Sequence, residues 1–315
     1  MATYQHQHLR ARFWTVIALT AGLMVTGCAS EDNVVVEEEP VDPQDVVTVG
    51  VAVSSPGLVS GVAPAEVTGA EIDLVTALVE HMGSLPTEAE IFWVPTTPAS
   101  VAEDHYQFQL AIGQFTQATL DSASAQVGPY VTVQPGLLVH QEPSDDATPT
   151  LEPLAVNSIE TLEDLADASV CVVSGSLAAG AELPAEHTVL EPTVTECEVG
   201  MRSGRYDAIS ADNLQLAGLL VDPAHSERYE LLSWEDVADD EPNAAEALDE
   251  RLTTAGSYWL GVDADLCGEA AEALETLVED GVVEEAFSSL DNVEGFQLQT
   301  VEAAEVTTAH CEPAD

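Results

Sequence analysis

Short β-branched runs alternate along this chain with longer runs whose apolar residues fall at helical spacing, and that alternation restricts it to layered α/β folds. Val46 to Val53 (VVTVGVAV) predicts a strand, and Glu71 to Met82 (EIDLVTALVEHM) a helix stopped by Gly83. Glu90 to Val94, Gln109 to Ile112 and Gly136 to His140 predict further strands. Pro143 to Pro153 is rich in Ser, Asp and Pro and marks a boundary. The alternation then restarts. Ser158 to Asp167 predicts a helix with Ser158 at its N-cap, followed by a strand from Ser169 to Val173. Thr193 to Ser203 reads as a helix, Tyr206 to Ser210 as a strand and Asn213 to Val221 as a helix. Tyr258 to Val262 is a late strand, and Glu269 to Glu279 and Val282 to Leu290 are amphipathic helices. Strands regularly separated by helices imply largely parallel sheets.

The first residues have a different character. Arg10 and Arg12 precede an apolar stretch from Trp14 to Thr26, too short for a comfortable membrane span. It ends in Val25-Thr26-Gly27-Cys28, which resembles the lipobox of bacterial lipoproteins. That resemblance implies a signal peptide over residues 1–27 and an acylated Cys28 as the mature N-terminus. Residues 28–45 are acidic, contain two prolines and lack periodicity, so they are expected to act as a tether. The remaining length suits two lobes.

Cys28 leaves four cysteines, Cys171, Cys197, Cys267 and Cys311, an even number in a chain expected to be exported. Three pairings are possible. Cys171–Cys197 with Cys267–Cys311 is favoured because each pair lies within one stretch of chain. No cysteine has the spacing of a metal site.

The charge is lopsided: 57 acidic residues face six basic ones, all Arg, and none lies between Arg12 and Arg202. Nucleic acid and anionic membrane surfaces are therefore poor partners. Because 46% of residues are hydrophobic, the chain can still bury a core. A Lys-free acidic surface points either to adaptation to high salt, where ions screen the repulsion, or to an acidic partner-binding face. No calcium-loop motif is present.

Four segments together resemble family 3 of the bacterial extracellular solute-binding proteins, the polar amino-acid binders, with actinobacterial glutamate-binding lipoproteins as the nearest flavour. Val49-Gly50-Val51 and Gly69-Ala70-Glu71-Ile72-Asp73-Leu74 match the opening strand and the family's "GFDVDL" helix start. Leu110-Ala111-Ile112-Gly113 and Gly128-Pro129-Tyr130 match its strand-turn and "GPY" elements. Ser158 to Leu165 and Val170 to Ser176 match "SxEDL…VCxVxGS", with Cys197 as the family's disulfide partner for Cys171. Tyr206 to Asp212 matches "xDAVxTD". The resemblance spans roughly Val46 to Leu290. It implies a periplasmic-binding-protein type II clamshell, each lobe a mixed sheet flanked by helices. Lobe one would be residues 46–142 plus 255–315, and lobe two residues 153–254. The implied function is capture of a small polar solute, an amino acid such as glutamate or glutamine, by hinge closure at the outer face of the cell membrane. The implied partners are an ABC permease and the membrane, through the Cys28 lipid. No cofactor, metal or nucleic acid is implied.

The resemblance also assigns site residues. Asp212 falls on the position that binds the ligand's α-ammonium, an ion pair that is chemically sensible; capping the following helix is the plainer role. Gly175-Ser176-Leu177 would offer backbone N–H groups at a helix start to the ligand's carboxylate, with Ser176 adding its hydroxyl. Gly113, Gln114 and Thr116 would line the opposite wall. One departure stands out. The family's carboxylate-gripping Arg would fall on Leu120 or Asp121, and the first loop, Ser54 to Leu58, lacks the family's aromatic shelf. Arg202 and Arg205 read as surface charges. Either lobe two holds the carboxylate alone, or the ligand is a cation or neutral solute, or the chain has become a sensor or scaffold. An enzyme is not expected. His81, His105, His140, His187, His225 and His310 are scattered, no nucleophile or phosphate motif occurs, and Glu71 is the one nearby acid–base candidate.

Overall fold

The structure is a computed structural model. It describes residues 46–52, 55–62, 66–83, 85, 90–97, 101, 108–120, 125–141, 159–238 and 248–311. The expected signal peptide, Cys28, the tether, Asp121 and Ser158 lie outside the described residues.

The strands in chain order are β1 (Val46–Val51), β2 (Ser60–Val62), β3 (Glu66–Thr68), β4 (Glu90–Pro95), β5 (Leu110–Ile112), β6 (Ala125–Val133) and β7 (Pro135–His140). They continue with β8 (Ser169–Val173), β9 (His187–Glu191), β10 (Ala208–Asp212), β11 (Tyr229–Ser233), β12 (Gly256–Val262) and β13 (Thr307–Ala309). The helices are α1 (Ala70–His81), α2 (Leu162–Leu165), α3 (Val194–Arg202), α4 (Asn213–Leu220), α5 (Pro223–Ser226), α6 (Trp234–Ala238), α7 (Cys267–Glu279) and α8 (Val282–Ala286).

Two mixed sheets form the frame of a two-lobed α/β fold. The first has six strands in the order β13-β6-β12-β5-β1-β4, with β1 parallel to β4 and β5. The second has five, β11-β7-β10-β8-β9, with β8 parallel to β9 and β10. β6 and β12 run antiparallel within the first sheet, and β7 and β11 within the second.

Helices cover the sheets as their spacing requires. α1 buries Leu74, Val75, Leu78 and Val79, and α7 buries Ala270, Ala273, Leu274 and Leu277, both at i, i+3, i+4 steps. α2 starts later than its sequence suggests. Thr161 caps it and Asp164 returns a bond to the Thr161 N–H, a capping box that ends the extended approach. The helix expected over Val282 to Leu290 divides into α8 and a 3₁₀ turn at Ser288–Leu290. The disulfides are Cys171–Cys197, joining β8 to α3, and Cys267–Cys311, joining α7 to the chain after β13, with Cα separations of 5.6 and 5.7 Å.

The strand at 135–140, expected in lobe one, belongs to the second sheet, where it pairs with β10 and β11. The chain crosses between sheets at Gln134, a single residue between β6 and β7. The reason is local. The turn signal at the crossing is only Pro135-Gly136, which fits a hairpin within one sheet as well as a crossing to another, whereas the longer Pro143–Pro153 cue comes one strand later.

The first loop of the chain also packs on α4, away from this crossing. Gly57, with φ of +75°, turns the first loop against α4. A Cβ at Gly57 would lie 2.6 Å from the Gly218 carbonyl oxygen, so neither glycine can carry a side chain without parting the lobes.

Candidate functional site

Asp212 ends β10, where it stands opposite Pro135, next to the crossing residue. Its side chain is fully buried. It occupies the N-cap position of α4 but makes no capping bond, so the helix-cap role does not hold. Its Oδ1 accepts the Leu177 N–H at 2.8 Å and its Oδ2 accepts the Tyr258 hydroxyl at 2.7 Å. Burial pushes the Asp212 carboxyl up to about 6, against the downward pull of those two bonds.

Gly175 and Ser176 sit beside it in a different arrangement from the expected one. Residues 174–180 form successive turns, not a helix start. The Ser176 N–H and hydroxyl both donate to the Val173 carbonyl, at 3.2 and 2.8 Å. Ser176 is buried, while Gly175 is exposed, with φ of +86° and open space where a Cβ would be. With Ser176 committed to Val173 and Leu177 to Asp212, three of the donors expected for a ligand carboxylate are used within the chain. The physical reason is that a buried carboxylate needs donors, and the adjacent turn supplies the nearest one.

The opposite wall follows β5. Gly113 has φ of +149°, and a Cβ there would overlap Ala52 and approach its nitrogen to 2.7 Å. Gln114 follows in the left-handed region, φ of 57°, which disfavours residues other than glycine. Glu71 holds it there. The Gln114 N–H donates to Glu71 Oε1 at 3.1 Å, and the Gln114 amide Nε2 donates to Oε2. Glu71 also accepts the Tyr130 hydroxyl. Fully buried on the first turn of α1, Glu71 is raised by desolvation to about 7, with its three bonds pulling the other way. Thr116 forms an isolated bridge to Tyr258 and a hydroxyl turn with Thr119. Leu120, one of the two positions on which the family's Arg would fall, is wholly buried with Phe115 and Trp259 in an apolar cluster.

Tyr130 and Tyr258 join the two acids. Their ring centroids are 6.2 Å apart, and both are fully buried. Burial and the adjacent carboxylates hold both phenols well above the usual tyrosine range. The predicted residues Asp212, Gln114, Gly113 and Thr116 are thus gathered around a Glu71–Tyr130–Tyr258–Asp212 core. Sequence reasoning missed Tyr258 because YWLGV reads as ordinary strand, and it considered Glu71 only as an acid–base group. Arg202 and Arg205 are exposed and pair with Glu198 at 3.7 Å and Glu191 at 3.4 Å. Among the described residues, no group of three His, Cys, Asp or Glu could hold a metal ion.

No protein-family model matches the chain, and no curated protein sequence matches it. Solved structures do match. A solute receptor for L-cysteine of Neisseria gonorrhoeae is 17% identical with a TM-score of 0.58, over 82% of this chain and 97% of that one. A substrate-binding protein of an ABC uptake transporter from Streptococcus pneumoniae, with bound histidine, is 15% identical with a TM-score of 0.58, over 82% and 95%. An ancestral amino acid-binding protein, a precursor of cyclohexadienyl dehydratase, is 18% identical with a TM-score of 0.55, over 78% and 96%. At these identities the likeness establishes a shared two-lobed fold. Because one such relative is a precursor of an enzyme, fold alone does not decide between binding and catalysis.

Proposed function

We propose that this protein is the solute-capturing subunit of an ABC importer, held at the outer face of the membrane by a lipid on Cys28. Residues 1–27 would be removed on export and residues 28–45 would tether the folded part. Capture would proceed by approach of the two lobes, and the permease would receive the closed form. The fold's relatives support the class of function, since the solute receptors named above bind amino acids. The observation that carries the reading to this chain is Asp212, a buried carboxylate with no cationic partner among the described residues, at the end of β10 beside the crossing between sheets. Such an acid is suited to an ammonium group. Glutamate or glutamine is the finer reading, with Gln114, Gly113 and Thr116 on the facing wall and Gly175 and Ser176 beside Asp212.

A second reading rests on its own observation. The Leu177 and Ser176 N–H groups are already bonded, and no Arg or Lys occurs from residue 13 to 201. A ligand carboxylate therefore has few donors, which favours a cationic solute that lacks one. Thermal unfolding in molar salt distinguishes the two, because a ligand of the folded state raises the midpoint by mass action. Glutamate, glutamine, betaines, ectoines and polyamines serve as probes. Stabilisation by glutamate or glutamine supports the first reading, and stabilisation by polyamines alone supports the second. No stabilisation by any probe rejects solute capture in favour of a sensor or scaffold. Asp212→Asn is expected to weaken binding of an active probe by at least about thirtyfold, as for loss of one partner of a buried charge pair.

A further inference from the structure

The residue that holds Asp212 most directly comes from the other sheet. Asp212 ends β10 of the five-stranded sheet, whereas Tyr258 lies in β12 of the six-stranded sheet, opposite Val131. Asp212 stands opposite Pro135, next to the crossing residue, and Tyr258 opposite Val131, three residues before it. β12 is irregular just past Tyr258, where its pairing with β6 shifts, and Tyr258 also bridges Thr116. A local irregularity of this kind re-aims a strand side chain. Here the hydroxyl reaches Asp212 Oδ2 at 2.7 Å, while Leu177 of the second lobe takes Oδ1. Each oxygen accepts one bond, so each retains an acceptor position for an incoming cation.

We infer that Tyr258 is the positioning residue of this site: from the far lobe it orients the Asp212 carboxylate, so that capture of a cationic group and approach of the lobes depend on the same hydrogen bond. The ligand half of this inference rests on the solute-binding reading above; the positioning half does not. The titratable groups facing this pair are Tyr130 from β6 and Glu71 from α1. The hydroxyl bond favours ionised Asp212 over protonated Asp212, so its loss must raise the pH at which Asp212 titrates.

The test uses the full-length protein in molar salt, carrying ¹³C at aspartate carboxyls and at tyrosine Cζ. Asp212→Asn and Tyr258→Phe assign the two resonances. In the wild type, Tyr258 Cζ is expected to shift with the same midpoint as Asp212 Cγ. In Tyr258→Phe, the Asp212 midpoint is expected to rise by about one to two pH units, the size of one hydrogen bond to a charged group. Whichever of L-glutamine, L-glutamate or putrescine stabilises the wild type is expected to bind Tyr258→Phe about tenfold more weakly or worse. An unchanged Asp212 midpoint in a folded Tyr258→Phe protein overturns the inference. If that variant does not fold, a wild-type Tyr258 resonance without an inflection at the Asp212 midpoint overturns it instead. If none of the three probes stabilises the wild type, solute capture of this kind fails, and the two titrations still decide the role of Tyr258.

Discussion

Glu71 should make this protein more stable in mild acid, contrary to the behaviour of an ordinary paired carboxylate. Its side chain is fully buried, and burial raises its pKa from 4.5 to about 7. The folded state therefore binds this proton more tightly than the unfolded chain does. The contribution is fully present below 4.5 and is lost as the pH rises through about 7. A difference of that size corresponds to about 3 kcal/mol at 1.36 kcal/mol per unit. For a domain of this length it amounts to roughly 6–12 °C in the unfolding midpoint. The perturbation is Glu71→Gln, which keeps the side-chain volume and removes the titration. The amide will face the Gln114 N–H with altered donors, but that penalty is independent of pH. Thermal unfolding by circular dichroism, at fixed molar salt across this pH range, should show the wild type gaining on Glu71→Gln as the pH falls. The many other acidic groups are common to both proteins and drop out of the difference. Midpoints that move in parallel in the two proteins would refute the reasoning.

Three further outcomes follow from the same geometry. Gly113→Ala places a Cβ against Ala52 at a positive φ, so it should cost about 2 kcal/mol or more in urea unfolding and disturb Gln114 beside it. Replacing Cys171 and Cys197 together by Ala opens a bridge with a separation of 26 residues, and should cost about 3 kcal/mol in guanidinium unfolding. Thr161→Ala removes the capping box of α2 and should cost about 1 kcal/mol, read as a lowered urea midpoint with an unchanged slope.

The charge imbalance has a structural counterpart. Arg202 and Arg205, two of the chain's six basic residues, are paired at the exposed end of α3 and its following turn. Neither lies in the Glu71–Tyr130–Tyr258–Asp212 core, whose acids are met by hydroxyl and amide donors. In that core, hydrogen bonds to neutral donors take the place of ion pairs in burying the carboxylates, whereas the buried Glu198 meets Arg202.

By itself, the sequence determined the elements whose information is local. The helical period of Glu71 to Met82 and the β-branched runs at 46–51 and 169–173 need only a few neighbouring residues to declare themselves, and α1, β1 and β8 lie where they point. Asp212 at the end of a strand was legible in the same way. The tertiary structure decided what depends on residues far apart in the chain. The crossing at Gln134 was hidden because an apolar strand is satisfied by either sheet, and composition does not record which one it joins. β9 was hidden because it is an exposed edge strand without an apolar face. The roles of Glu71 and Tyr258 were hidden for a related reason. Glu71 finds Gln114 43 positions away, and Tyr258 finds Asp212 46 positions away. A buried polar group must be bonded, but only the packed chain specifies its partner.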